Sequence, residues 1–186
     1  MENFDDCELK SSERADEAVS SRERHRVLYK VYQSHGASAA FKCISYAIVL
    51  LTAVAFVAAL VLLSIADIWA AVRYAVLSAI PFLVVTAARK IINAPRPYEL
   101  IDFYERKPKG KAGQGFPSRH VFSIFLIGVS VLAWNVAVGC VLIALGVCLA
   151  VFRVLLGIHF IRDVVAGGAI GALSGAMILI IEKFIV

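Results

Sequence analysis

Between Ala112 and Ile181 the only charged or imidazole side chains are Arg119, His120, Arg153, His159, Arg162 and Asp163, and they fall in two short clusters. A charge at bilayer depth costs about 2.5–3.5 kcal/mol on insertion scales, so arginines beside a His/Asp pair in so apolar a stretch point to the handling of an anion. Snorkelling of helix-end arginines to lipid head groups explains some of the set, but not the histidines. His159 and Asp163 are four residues apart; on a helix they share a face, and the carboxylate accepts from the imidazole and fixes its tautomer. The other ring nitrogen then presents its lone pair, as a nucleophile or base requires. His120, from a different segment, is the candidate general acid. Arg96, Arg153 and one of Arg89 or Lys90 carry the donors that surround a phosphoryl group and stabilise its developing charge. Ser118, and the backbone N–H groups of the helix entered at His120, add neutral donors. These roles fit phosphoryl transfer with neither a metal nor a cofactor.

Each signal alone has a plainer reading. A His four residues from an Asp is more often a structural hydrogen bond, Arg-Pro a turn, and Pro117-Ser118 simply a helix start. Their concurrence is what is specific: both histidines outside the polar amino-terminal tail, and the only acidic residue between Ala112 and Ile181, lie in these segments.

The elements that must position them are apolar helices. The 186 residues are 60% hydrophobic with a net charge of +5, and the mean hydropathy is +0.80, which exceeds an ordinary soluble domain and predicts an integral, multi-pass membrane protein. Runs able to cross a core of about 30 Å are Phe41–Ile65, Trp69–Ala88, Val121–Val136, Val138–Leu156 and Val164–Ile181. The third is the shortest and starts earlier if Arg119 and His120 sit inside the bundle. An even number of crossings separates the Arg119 cluster from the Arg153–Asp163 cluster, so both reach one face together with Arg89–Arg96.

That face also carries most of the Lys and Arg, including Arg106, Lys107, Lys109 and Lys111, which places it in the cytoplasm, with the plasma membrane as the expected location. Residues 1–40 are polar and too late in their first apolar run for a signal peptide; Ser20–Tyr32 fits either a basic helix on an anionic leaflet or a frayed tail. Tyr98–Gly115 reads as a basic, aromatic lid or a plain loop. The cysteines form no metal-ligand or disulfide pattern, and Cys43, Cys140 and Cys148 read as packing residues. Nothing in the chain fits nucleic acid, so the expected partners are membrane lipids. Gly167, Gly171 and Gly175 predict a close helix contact that holds the His159 segment.

With Arg96-Pro97, then Pro117-Ser118 and His120, then Arg153, His159 and Asp163, the chain resembles the type 2 phosphatidic acid phosphatase superfamily, membrane lipid phosphatases that share a helical core with vanadium haloperoxidases. The family pattern is Lys, six residues, Arg-Pro; then Pro-Ser-Gly-His; then Ser-Arg, five residues, His, three residues, Asp. The resemblance implies that His159 forms a phosphohistidine, Asp163 orients it, and His120 protonates the leaving oxygen. It assigns Arg89, Arg96, Ser118 and Arg153 to the phosphate.

Four departures stand out. Arg89 replaces the Lys, with Lys90 one place out of register. Arg119 replaces the Gly, adding either bulk or a further phosphate contact. Phe152 replaces the Ser, and two spans precede the first motif where three are common. The expectation is an all-α, multi-pass helix bundle over 41–186 that hydrolyses a lipid phosphate or diphosphate. Phosphatidic acid, phosphatidylglycerol phosphate and undecaprenyl diphosphate are the candidate substrates. The alternatives are a lipid phosphotransferase using the same histidine, and a non-catalytic lipid-phosphate-binding or transport protein.

Overall fold

The computed structural model describes residues 35–100 and 113–185. The amino-terminal segment ahead of His35, including the basic stretch Ser20–Tyr32 and Cys7, and the lid candidate's Arg106, Lys107, Lys109 and Lys111 lie outside the described residues. Among the described residues six helices follow one another: α1 (His35–Ala66), α2 (Ile68–Ile92), the single turn α3 (Pro97–Leu100), α4 (Arg119–Val131), α5 (Val136–Leu155) and α6 (Ile161–Ile185).

Helices α1, α2, α5 and α6 are long and apolar enough to cross a membrane. Helix α4 has 13 residues, about 20 Å at 1.5 Å per residue, and is too short to cross the hydrocarbon by itself. It is sheathed by its neighbours instead. Of its side chains Val121, Phe122, Ile124, Leu126, Ile127 and Val131 are buried, so its ends need not meet lipid. The expected start at Val121 therefore moves back to Arg119, and the end moves from Val136 to Val131 because Leu132–Trp134 turn and Asn135 caps the next helix through Val138 N–H, 3.0 Å. With α4 running through the bundle between α2 and α5, the connections before α4 and before α6 fall at the same end as the start of α1.

Helix α4 is the hub, and α6 lies closest to it. The glycine stripe of α6 explains why: a Cβ on Gly167 would stand 2.5 Å from Ser118 O, one on Gly171 2.3 Å from Phe122 O, and one on Gly175 2.6 Å from Leu126 O. Backbone therefore meets backbone along three successive turns, the close approach expected of small residues at four-residue spacing. The core around this pair comprises Tyr74, Phe122, Leu126, Val131, Leu142 and Ile178, with Ile48, Ile124 and Leu149 as a second cluster. Tyr74 satisfies its phenol with Ser130 Oγ at 3.1 Å and packs edge-on against Trp134. At the end away from the basic face, Arg73 lies 3.9 Å from the buried Glu182 and 3.8 Å from Asp67, tying the start of α2 to the end of α6.

Helix α1 is the least enclosed of the long helices, with most of its apolar window facing outward. Cys43, Cys140 and Cys148 sit on helices as expected but are exposed. They face outward and do not pack, a correction that hydropathy alone does not reveal because lipid and protein interior are equally apolar.

Candidate active site

The site is assembled at one end of the bundle by three backbone devices. The first ends α5. Gly157 takes φ 63°, and its N–H bonds to Val154 O while Ile158 N–H bonds to Arg153 O. This is the paired closure of a helix that ends in a left-handed glycine. His159 N–H also reaches Arg153 O, at 3.2 Å, so the backbone of Arg153 holds the histidine directly. The expected helical spacing of His159 and Asp163 is thereby corrected. His159 lies in the connection, ahead of α6, because Gly157 has already stopped the preceding helix and α6 starts only at Ile161.

The second device starts α6. Asp163 Oδ2 accepts from Phe160 N–H at 2.9 Å, reaching back from the third helical position as in a capping box. The same oxygen is 3.6 Å from His159 Nδ1, and Oδ1 is 3.6 Å from Arg162 Nε. Side by side without helical register, the imidazole and carboxylate still meet, both almost fully buried. Burial is the larger influence on the imidazole and pushes it below the usual histidine range, with Asp163 opposing and Arg96 and Arg89 adding to the shift. His159 is therefore neutral at neutral pH.

The third device joins α2 to α4. Asn93 ends α2 in the left-handed region at φ 43°, and its side chain lies against Gly113, where a Cβ would come within 2.3 Å. Gly115 N–H bonds to Ala94 O at 2.7 Å. Gly113 N–H bonds to Glu99 Oε1 at 2.8 Å, and Arg96 Nε donates to Gly113 O at 3.0 Å. Arg89 is buried and donates to both Pro117 O and Gln114 O. Its guanidinium thus braces the strap that leads into α4, through the cis Phe116-Pro117 bond.

At the end of that strap Ser118 occupies the N-cap of α4, yet its hydroxyl makes no capping bond. Ser118 N–H donates instead to Asp163 O at 2.8 Å, which ties the start of α4 to the start of α6. The helix-start reading of Ser118 is right for its backbone and does not account for its side chain. Four buried polar atoms without a hydrogen-bond partner converge here: Ser118 Oγ, Arg153 Nε, His159 Nδ1 and Asp163 Oδ1.

His120 follows on α4. The charges acting on it are those of Arg153, His159, Arg119 and Arg89, so it shares the site with the nucleophile candidate. Arg119 and His120 also line an apolar cavity of about 710 Å³ between α1, α2 and α4, with Val49, Phe56, Phe82 and Leu126 among its walls. Of the sequence candidates, His159, Asp163, His120, Ser118, Arg89, Arg96, Arg119 and Arg153 are brought to this end of the bundle. Lys90 is exposed while Arg89 turns inward. Sequence reasoning missed Glu99, Asn93 and Gly157 as positioning residues; Gly157, falling one residue past the apolar run of α5, was the visible signal.

The helix order and the membrane-crossing helices define an all-α integral membrane protein with its His, Arg and Asp segments gathered at one end of the bundle. Residues 68–185 match the PAP2 superfamily, and with more than half of its length matched the chain belongs to it. Among solved structures it is similar to LpxE of Aquifex aeolicus, with a TM-score of 0.64 and 21% identity over 84% of this chain and 93% of that one. It is also similar to a transmembrane PAP2-type phosphatidylglycerolphosphate phosphatase of Bacillus subtilis, with a TM-score of 0.55 and 19% identity over 90% of this chain and 96% of that one. These likenesses establish the fold; no curated protein matches the sequence.

Proposed function

We propose that this protein hydrolyses a lipid phosphate or diphosphate through a phosphohistidine on His159, with residues 41–186 as the catalytic domain. The observation that carries the reading is the buried, neutral His159 held against Asp163 among the unpartnered donors of Ser118 and Arg153. The Asp163 carboxylate, 3.6 Å from Nδ1, favours the tautomer with the proton there, which leaves Nε2 to attack phosphorus in line with the leaving oxygen. As the P–N bond forms, the ring gains positive charge, and the carboxylate stabilises it. Arg153, Arg96 and Ser118 Oγ hold the equatorial oxygens, and His120 donates its proton to the departing oxygen. Water then attacks the phosphohistidine, with His120 as base, and releases inorganic phosphate. Arg89 acts mainly by holding the strap that carries Pro117 and Ser118.

The cavity beside His120 supports a lipid: its walls are mostly apolar, it lies between three helices of the bundle, and Arg119 and His120 are among its lining residues. A water-sized group occupies about 30 Å³, so about 710 Å³ accommodates roughly two dozen chain atoms. Fold similarity to a phosphatidylglycerolphosphate phosphatase supports the same substrate class. The basic excess of this face, with Lys42, Arg89, Lys90, Arg96, Arg119, Arg153 and Arg162 against Arg73 and Lys183 opposite, favours a cytoplasmic site.

The test is phosphate release by detergent-solubilised protein, with chelator present, from phosphatidic acid, phosphatidylglycerol phosphate and undecaprenyl diphosphate. Release by the wild type and its loss in a folded His159→Ala variant are expected. Full activity in that variant would sink the mechanism. Phosphate appearing on an added lipid or sugar alcohol in place of water would move the assignment to a phosphotransferase.

A further inference from the structure

We propose that Arg119 is a specificity-determining residue that holds the inner phosphate of a lipid diphosphate, so that the site favours diphosphates over monophosphates of the same alcohol. This rests on the phosphohistidine reading of His159.

The geometry divides the site into two sides. Ser118, Arg153, His159 and Asp163 contribute buried polar atoms without hydrogen-bond partners, and none of the four lines the apolar cavity; His120 and Arg119 both do. His120 therefore stands at the boundary, with the transferred phosphoryl group on one side and the leaving group on the other. Arg119 lies on the leaving-group side, one residue before the proton donor.

Its surroundings there are unusual for a cation. Among the described residues no carboxylate comes within ion-pair distance of Arg119. Its guanidinium rests 5.9 Å from the centroid of the Phe82 ring, on the cavity wall. A ring face steadies a guanidinium but leaves its in-plane N–H groups free. A half-buried fork of donors in the wall of an apolar cavity suits an anion attached to an apolar chain.

The chemistry selects which anion. When His159 Nε2 bonds to the phosphorus of a lipid monophosphate, the P–O bond breaks with its electron pair on an alcohol oxygen. That oxygen takes the proton from His120 and presents no charge to Arg119. When the substrate is a diphosphate, the same attack on the outer phosphorus breaks the bond to the bridging oxygen. The electron pair leaves on the inner phosphate, which becomes a lipid monophosphate and gains negative charge during the step. Arg119 faces that group, and a hydrogen bond to a charge that grows in the transition state accelerates the reaction. Water then cleaves the P–N bond in both cases, yielding inorganic phosphate and regenerating His159.

The experiment compares farnesyl diphosphate with farnesyl monophosphate in detergent, so that the chain is constant and only the inner phosphate differs. The readout is the ratio of kcat/KM for the two. In Arg119→Gln the diphosphate-to-monophosphate ratio falls about ten- to a hundredfold, the span expected for one charge-assisted hydrogen bond. Arg119→Lys, which keeps the charge and loses the fork, gives an intermediate ratio. An unchanged ratio, or an equal fall on both substrates, overturns the proposal. His159→Ala is assayed in parallel: release persisting there refutes the phosphohistidine reading, whereas the ratio in the Arg119 variants reports on Arg119 alone.

Discussion

Replacing Asp163 by Asn removes one charge and almost no volume. The amide oxygen can still accept from Phe160 N–H, as Asp163 Oδ2 does at 2.9 Å, so the start of α6 keeps its cap. What is lost is the field on His159, whose Nδ1 lies 3.6 Å from Oδ2. At that distance and an effective dielectric of about 20, a full charge on the ring interacts with the carboxylate by about 5 kcal/mol. The transition state carries only part of that charge. With 1.36 kcal/mol per tenfold in rate, half to four-fifths of that charge corresponds to a fall in kcat of about 10²–10³. KM changes little, because the ground-state imidazole is neutral. The assay is phosphate release at saturating lipid, paired with circular dichroism melting to establish that the variant folds, and with acid-quench trapping of the phosphoenzyme, whose formation slows by the same factor. A folded Asp163→Asn protein with kcat within threefold of wild type, while His159→Ala is inactive, would refute the reasoning.

The remaining predictions concern neighbouring parts of the site. The acid limb of kcat/KM falls below the ordinary histidine range of about 6.5, since burial depresses His159; Asp163→Asn removes the opposing influence and moves the limb lower still, as a pH profile will show. Because the folded imidazole has a lower pKa than the unfolded one, its contribution to stability is present above about pH 6.5 and is lost as pH falls through the folded value. Melting temperature at pH 5 should therefore be lower than at pH 7. His120→Gln lowers kcat on a lipid monophosphate about 10²–10⁴-fold, with the phosphoenzyme step slowed. Arg89→Lys cannot span both Pro117 O and Gln114 O with one ammonium, so activity falls at least tenfold and more than in Lys90→Ala, measured by phosphate release. Gly171→Ala puts a Cβ 2.3 Å from Phe122 O, and the overpacking costs about 1–3 kcal/mol, read as a lower melting temperature.

The membrane helices were legible because period and length suffice for them: four apolar runs became four long helices with ends shifted by a few residues. The convergence of His120 with His159 and Asp163 followed from counting crossings, which a chain confined to a bilayer cannot evade. The relation of His159 to Asp163 was read with the wrong backbone, since a four-residue spacing fits a helix and also fits a capped helix start. Arg89 and Pro117 were singled out, but the strap that joins them was not legible, because Arg89 and Arg96 donate to backbone carbonyls, which every residue type carries. Outward-facing cysteines were missed for a related reason: in lipid the hydrophobic pattern no longer separates surface from core.

The backbone contact between α4 and α6 bears on how the protein meets changes in its bilayer. Ser118 N–H on Asp163 O and the glycines beneath it join α4 and α6 carbonyl to Cα, with no flexible side chain between them. Bilayers differ in thickness, and spanning helices answer by tilting. The weakly enclosed α1 is the long helix least held against such a tilt, whereas α4 and α6 are held to each other backbone to backbone. In the proposed mechanism the spacing of His120 from His159 and Asp163 is then set by the α4–α6 contact, and membrane thickness bears first on α1 and the cavity it lines.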